Sequence, residues 1–226
     1  MLKDVKSHSR VNKMLLGNLE RPALQWLAAR MPSWVTPDLL TIIGVIGSVL
    51  TALSYWGANF NPNFLWLACL GFVINWFGDS LDGTLARYRK IERPRFGFFV
   101  DHTVDAASQA MIFLGLGASP YMRFDLACLT LIMYLLMSVL VYVQMFVSGV
   151  FRIAYIGLGP TEVRIIAIIG TVLTYFFDVW RVDAWGVKLT ILDLVGIGLS
   201  VLMMSAYIVV VIKQSIELSR LEQIKP

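Results

Sequence analysis

The sequence predicts an all-α membrane protein with six transmembrane helices and an N-terminal amphipathic helix at the membrane interface. Of its 226 residues, 58% are hydrophobic and only 15% are charged, whereas a soluble domain has about 25% charged residues. The apolar residues come in long blocks, each able to cross a bilayer. No repeat or soluble domain interrupts them, so we treat residues 1–226 as a single membrane-embedded domain.

Residues 1–35 form an arm before the first apolar block. The arm begins with basic residues and has no apolar core, so we expect no cleavable signal peptide. A helical pattern follows at about 22–31. Its apolar side contains Leu24, Leu27, Ala28 and Met31. Because Trp26 and Trp34 suit the headgroup layer, we predict a helix lying on the cytoplasmic membrane surface; a short solvated arm is the alternative.

Six apolar blocks follow the arm. They cover residues 38–57, 63–85, 97–117, 125–148, 162–180 and 189–212. Pro37 fits the start of the first helix, and Pro94 breaks the chain between the second and third. Cys69 and Cys128 both fall inside apolar blocks and are interpreted as small buried residues without a disulfide.

The basic residues are divided unequally between the two sides of the membrane. With both termini in the cytoplasm, 16 of the 19 Lys and Arg residues lie on the cytoplasmic side. The three on the other side are Arg123, Arg181 and Lys188. This bias predicts a multi-pass protein with cytoplasmic termini. The net charge of +4 is thereby attributed to membrane topology, and no nucleic-acid partner is expected.

Four acids lie between residues 79 and 105 of this otherwise apolar chain. Asp79 and Asp82 are three residues apart, and Asp101 and Asp105 are four apart, so each pair shares one helix face. Four carboxylates at low dielectric repel one another unless a cation lies between them. Hard divalent cations prefer such oxygen ligands. The predicted topology places both pairs at the cytoplasmic side.

The spacing of these acids is that of a known family signature. Asp-x2-Asp-Gly-x2-Ala-Arg-x9-Gly-x3-Asp-x3-Asp resembles the motif of the CDP-alcohol phosphotransferases, integral membrane enzymes of phospholipid synthesis. Its eight fixed positions are Asp79, Asp82, Gly83, Ala86, Arg87, Gly97, Asp101 and Asp105. The resemblance implies transfer of a phosphate-linked group from a CDP-alcohol to a second alcohol, with release of CMP and at least one lipid substrate.

The resemblance also implies roles for these positions. The four acids Asp79, Asp82, Asp101 and Asp105 would ligate two Mg²⁺ or Mn²⁺ ions, with Asp105 as general base. The nucleotide would be bound by Gly83, Ala86 and Arg87, together with Asp79 and Asp82. A homodimer formed through the third and fourth spans is a further implication. Pro37-Asp38-Leu-Leu-Thr41 resembles a Pro-Asn-x-x-Thr element near the nucleotide site, with Asp in place of Asn, although it could equally be a helix cap.

The two substrates are not determined by the signature. The length and six spans are typical of the branch that uses CDP-diacylglycerol, which we favour. The patterns Asp101-His102-x-x-Asp105 and Gly159-Pro160-x-Glu162 resemble the choline and ethanolamine phosphotransferases, which use a diglyceride acceptor. A phosphorylated acceptor needs a basic pocket, for which Arg95, Arg152 and Arg164 are available.

Other interpretations are possible for the polar residues near the acids. Glu162 and Arg164 could meet a substrate headgroup or lie in the interface, and Asn75 could support an acid or bond to a neighbouring span. His102 should point away from the acidic face. Intramembrane acids also mark ion paths, so a divalent-cation transporter is a remote alternative, as is an inactive scaffold. The clustering of the acids at one side, beside Gly-x2-Ala-Arg, favours the enzyme.

Overall fold

The computed structural model describes residues 16–148, 159–177, 181–184 and 186–221. These residues form seven α-helices and one antiparallel β-hairpin. The helices are α1 (Gly17–Arg30), α2 (Pro37–Gly57), α3 (Phe64–Arg89), α4 (Pro94–Gly117), α5 (Phe124–Ser148), α6 (Pro160–Phe177) and α7 (Ile191–Leu221). The strands are β1 (Arg181–Ala184) and β2 (Val187–Thr190). The predicted basic residues Lys3, Lys6, Arg10, Lys13, Arg152 and Lys225 lie outside the described part of the chain.

Five helices, α2, α3, α5, α6 and α7, are long and apolar enough to cross a membrane. The prediction of an all-α membrane protein is therefore confirmed. Each predicted span has a helix in the corresponding place, but α4 is not among these five. Its 24 residues are long enough, yet polar and charged side chains occupy its first half. The number of crossings stays a prediction.

Helix α1 packs on the helical bundle through the apolar side that the sequence identifies. Leu24 and Ala28 are buried against Leu81 and Leu85 of α3. This side therefore contacts protein, whereas the sequence interpretation assigned it to the membrane. Trp26 on the other side is exposed. The helix also begins earlier than predicted, at Gly17.

Helices α2 and α3 approach each other closely through glycines. A Cβ atom at Gly78 would overlap the backbone of Gly44 and Leu40, and one at Gly47 would overlap the backbone of Asn75. Only glycine allows backbones this near. Since Gly78 precedes an acid of the signature, this contact fixes the position of that acid along α2.

The helices of the bundle begin and end at two opposite ends, which we name here. We call the end where α3 stops and α4 starts the carboxylate end, and the opposite end, with β1 and β2, the hairpin end. At the carboxylate end, Lys90 in a left-handed conformation (φ 58°) terminates α3. Arg89 there donates hydrogen bonds to the carbonyl oxygens of Met31 (3.0 Å) and Pro32 (2.8 Å). The carboxylate end is thus held against the chain that follows α1.

The hairpin lies between α6 and α7. The sequence analysis predicted no strands there. β1 and β2 pair with Arg181 opposite Thr190, and Gly186 in the turn has φ +78°. Helix α7 then begins at Ile191 and continues to Leu221, beyond the predicted end at residue 212.

Candidate active site

Three of the signature acids meet at the carboxylate end. One carboxylate oxygen each of Asp79, Asp101 and Asp105 lie within 4.8 Å of one another. Asp79 comes from the second half of α3, and the other two come from the first half of α4. Carboxylates this close repel one another unless a cation compensates, and oxygen donors suit Mg²⁺ and Mn²⁺. The donor set therefore fits a divalent cation. The side chain of Asp101 is 47% exposed, which leaves the cluster open to approach.

Asp82 lies outside this cluster of three. Its Oδ2 accepts a hydrogen bond of 2.6 Å from the Thr41 hydroxyl, and its Oδ1 accepts one from the backbone N–H of Gly83. The structure thus brings together three of the four predicted ligands, and the assignment of Asp82 as a ligand stays a prediction. Thr41 belongs to the element that starts at Pro37. That element starts a helix, with Thr36 as its cap, and also reaches the site through Thr41.

Arg164 of α6 is a component of the site that the sequence analysis left open. Its Nη2 donates to Asp79 Oδ2 at 2.6 Å and its Nε donates to Asn75 Oδ1 at 2.8 Å. Asn75 in turn donates to Gly44 O and Ser48 Oγ of α2. The Arg164 side chain is 8% exposed. The available signal was an arginine inside a predicted span, which is costly without a partner.

The start of α6, which positions Arg164, is held by two glutamates. Glu162 is buried and accepts a hydrogen bond of 2.9 Å from the Gly159 N–H, so it caps its own helix. Glu20 of α1 accepts hydrogen bonds from Thr161 Oγ1 (2.6 Å) and Trp76 Nε1 (2.8 Å). Helix α1 therefore joins α6 to α3 beside the acids. The other carboxylate oxygen of Glu162 accepts from the Leu16 N–H at 2.8 Å, so Glu162 joins the start of α6 to the start of α1.

The predicted nucleotide positions follow the acids on α3. The guanidinium of Arg87 lies beside Gly83, where an added Cβ would be 3.4 Å from Arg87 Nη1. Arg87 is exposed and donates to Thr84 Oγ1 at 3.2 Å. Ala86 lies on the same turn and is partly buried. On α4, a Cβ at Gly97 would meet nothing within 4 Å, so this glycine is not required for packing between the described helices.

His102 lies closer to the acids than its helical spacing suggests. Its Nδ1 is 3.3 Å from Asp101 Oδ2 and 2.8 Å from the Phe98 carbonyl oxygen. The imidazole stacks on Phe98 and contacts the edge of Tyr142 of α5. The ring is held between its own helix and α5, but one ring nitrogen faces Asp101. The expectation that His102 points away from the acids therefore does not hold for this nitrogen.

Comparison with known proteins assigns the chain to a family. The family model for CDP-alcohol phosphatidyltransferases matches residues 34–212. The chain belongs to this family. Residues 34–212 include the acid cluster, Arg164 and all the helices from α2 to α6, as well as most of α7. The residues of the family signature lie in the second half of α3 and the first half of α4.

Relatives from two branches of the family are similar to the chain. Cholinephosphotransferase 1 of Danio rerio is 31% identical over 188 residues, which cover 76% of this chain and 47% of that protein. Phosphatidylinositol phosphate synthase of Cutibacterium acnes is 32% identical over 181 residues, covering 74% of this chain and 83% of that protein. The chain thus spans about half the length of the first relative (47%) and most of the second (83%).

Solved structures show the same fold. The crystal structure of Mycobacterium tuberculosis phosphatidylinositol phosphate synthase with CDP-DAG bound aligns with a TM-score of 0.54 and 23% identity. The alignment covers 87% of this chain and 91% of that one. At this identity the likeness concerns the fold, and it agrees with the helical membrane architecture described above.

Proposed function

We propose that the chain is a divalent-metal-dependent CDP-alcohol phosphotransferase that releases CMP while making a phospholipid. The observation that carries this proposal is the convergence of Asp79, Asp101 and Asp105 within 4.8 Å at one end of an apolar bundle. Family membership supports the same reaction class. A transporter is disfavoured because the acid cluster lies at the carboxylate end, and in the described part of the chain no further cluster of acids follows it across the bundle.

The residues of the cluster have distinct roles in the proposed reaction. Asp79 and Asp101, with Asp82 nearby, would hold Mg²⁺ or Mn²⁺; when bound, these ions neutralise charge on the pyrophosphate. Asp105 accepts the proton of the attacking hydroxyl as its oxygen bonds to the phosphorus that carries the donor alcohol. The bond from that phosphorus to CMP then breaks, and CMP departs. Such proton abstraction typically contributes a factor of about 10² to 10⁴.

The nucleotide would bind along the last turns of α3. Arg87 is suited to phosphate because its guanidinium is exposed and no carboxylate pairs with it among the described residues. Gly83 gives the guanidinium room to lie against the helix. The planar fork of arginine can donate two parallel hydrogen bonds to a phosphate. The side chain of Ala86 is a single methyl group, so a ligand can lie close to the helix at this position.

We favour CDP-diacylglycerol as donor, with a polar alcohol as acceptor. The similarity extends over 83% of the C. acnes phosphatidylinositol phosphate synthase but over 47% of the D. rerio cholinephosphotransferase, which supports the first branch. The second candidate is a CDP-choline or CDP-ethanolamine reaction with a diglyceride. It is favoured by the patterns Asp101-His102-x-x-Asp105 and Gly159-Pro160-x-Glu162 and by the similarity to cholinephosphotransferase 1 of D. rerio. We also propose that the site faces the cytoplasm and that the protein is a homodimer.

The substrate test is an incubation of purified protein with each donor and its matching acceptor. CDP-diacylglycerol is supplied with inositol phosphate or glycerol phosphate, and CDP-choline or CDP-ethanolamine with diglyceride; CMP and the lipid product are then measured. CMP released only from the amino-alcohol nucleotides would reverse our preference for the donor.

The proposed metal dependence is tested in the same assay. Mg²⁺ or Mn²⁺ should support turnover, whereas Ca²⁺ should support it poorly because it accepts six to eight ligands loosely, in contrast to the tight octahedron of Mg²⁺ at about 2.0 to 2.1 Å. Full activity after exhaustive chelation would contradict the mechanism. Absence of CMP from every pair, combined with Mg²⁺ flux into protein-containing vesicles, would favour the transporter.

A further inference from the structure

The basic residues at the hairpin end meet around one cavity. The sequence places three Lys and Arg residues on this side of the membrane, Arg123, Arg181 and Lys188. All three line the same cavity of about 200 Å³, together with Thr190 and the acid Asp193. They come from the α4–α5 connection and from both strands of the hairpin, so the chain brings them together from distant positions. We propose that this cavity binds the phosphate of an anionic phospholipid headgroup.

The walls of the cavity are fixed by hydrogen bonds that do not use the cationic side chains. Asp193 is fully buried, and its two oxygens accept hydrogen bonds of 2.8 Å from the backbone N–H groups of Arg123 and Thr190. Thr190 Oγ1 donates to the Tyr121 carbonyl oxygen at 2.8 Å. The α4–α5 connection and the start of α7 are thereby joined. Because backbone donors satisfy Asp193, the cationic side chains are not needed to pair with it.

The register of the hairpin turns its charged residues to one face. Arg181 pairs with Thr190, and Lys188 pairs with Asp183. Residues opposite each other, and those two positions apart, lie on the same side of a β-sheet. Arg181 and Lys188 therefore share the face of Thr190, toward the cavity. The other face bears apolar side chains that include the exposed Val182 and Val187, which suits contact with lipid.

The cavity is lined by three cationic side chains and one acid, Asp193, whose carboxylate accepts from backbone N–H groups. Asp183 lies opposite Lys188 on the same face of the hairpin but does not line the cavity. Arg123 donates two hydrogen bonds to Asp125, at 3.0 and 2.6 Å. In the described part of the chain, Arg181 and Lys188 form no ion pair. The N-terminus of α7 at the cavity adds the positive end of a helix dipole. An anion with several acceptor oxygens, such as a phosphate, matches these donors, and arginine can bind it through two parallel hydrogen bonds.

Aromatic residues at the same end place the cavity at headgroup depth. Trp66 of α3 contacts Tyr175 and Phe176 of α6, with ring centroids 5.3 and 6.1 Å apart. Trp66 and Phe176 are exposed. Exposed aromatic residues at the ends of apolar helices are typical of the membrane–water interface. The phosphates of a bilayer lie at this level, which favours a lipid over a free anion as the source of the phosphate.

The test is native mass spectrometry of the full chain in detergent with added phosphatidylglycerol, phosphatidylcholine or inorganic phosphate. Wild-type protein should retain phosphatidylglycerol in preference to phosphatidylcholine. The Arg181→Gln/Lys188→Gln variant should bind phosphatidylglycerol roughly tenfold more weakly, because two charge-assisted contacts are lost. The matched control is Lys213→Gln/Arg220→Gln, which removes two exposed cations from the other end of α7 and should retain the lipid like wild type.

The outcomes separate the two sources of phosphate. The proposal would be overturned if wild type, Arg181→Gln/Lys188→Gln and Lys213→Gln/Arg220→Gln all retained phosphatidylglycerol equally. It would also be overturned if the two variants lost phosphatidylglycerol to the same extent. Binding of inorganic phosphate without retention of phosphatidylglycerol would overturn the lipid assignment. Arg181→Lys/Lys188→Arg keeps both charges and should restore retention. Unfolding temperatures are compared in parallel; since Arg181 and Lys188 make no ion pair in the described residues, we expect them to be unchanged.

Discussion

At the scale of single residues, the contact between Arg164 and Asp79 balances part of the charge in the acid cluster. Three carboxylates face one guanidinium, whose Nη2 lies 2.6 Å from Asp79. Arg164 Nη1 is buried without a hydrogen-bond partner in the described residues. The arrangement leaves an excess of negative charge that a divalent cation would compensate. Arg164 is therefore a positioning residue, which holds Asp79 from α6 and supplies one positive charge to the cluster.

We predict that Arg164→Gln lowers the unfolding temperature of the metal-free protein more than that of the Mg²⁺-saturated protein. Removing one partner of a buried ion pair typically costs about 3–5 kcal/mol, and a bound cation would replace part of the lost positive charge. The measurement is thermal unfolding with chelator and with excess Mg²⁺. Arg95→Gln, which changes an exposed arginine at the same end, is the control. An equal decrease in both conditions would show that Arg164 acts independently of the cation.

A second residue-scale prediction concerns the general base. Asp105→Asn should lower CMP release by a factor of about 10² or more, because an amide cannot take the proton, while CDP-alcohol binding remains largely intact. Asp79→Asn should instead weaken metal and nucleotide binding together. Asp125→Asn, at the hairpin end, is the matched control. Turnover above a few per cent of wild type in Asp105→Asn would contradict the assignment.

At the scale of helices, the close approach of α2 and α3 sets the position of Asp79. We predict that Gly78→Ala destabilises the protein by about 1–3 kcal/mol, as overpacking of a tight interface does, because the new methyl group overlaps the backbone of Gly44. CMP release should also fall as Asp79 moves. Gly170→Ala in α6 is the control, since nothing lies within 4 Å of its added Cβ. If Gly78→Ala and Gly170→Ala unfolded at the same temperature, the prediction would be wrong, because α2 and α3 could then move apart to admit the methyl group at little cost.

The helices also show what the sequence could and could not predict. Helix positions follow from the lengths of the apolar blocks, and the shared faces of the acid pairs follow from their spacing. The contact of Arg164 with Asp79 joins residues 85 positions apart, and no local pattern specifies it. The apolar side of α1 could be identified, but its burial against Leu81 and Leu85 depends on tertiary packing. The hairpin was detectable, because Val182 to Leu189 alternates around Gly186.

At the scale of the whole molecule, the path of α4 decides the topology. Helix α4 starts beside the acids at the carboxylate end. The chain after it lies at the hairpin end, where Asn59 Nδ2 donates to the Ala118 carbonyl oxygen at 2.8 Å. At 1.5 Å per residue, its 24 residues extend about 36 Å, more than the hydrocarbon thickness of about 30 Å. Although α4 is less apolar than its neighbours, it therefore runs the full length of the bundle.

We therefore predict six crossings, with both termini and the acid cluster in the cytoplasm. Single cysteines at Glu92, Asn61 and Ala118, in a Cys69→Ala/Cys128→Ala background, are labelled with an impermeant maleimide in sealed vesicles of each orientation. Glu92→Cys should react only from the cytoplasmic side, since it lies in the basic connection. Asn61→Cys and Ala118→Cys should react only from the opposite side. If Ala118→Cys reacted from the same side as Glu92→Cys, α4 would not cross the membrane, and the termini would lie on opposite sides.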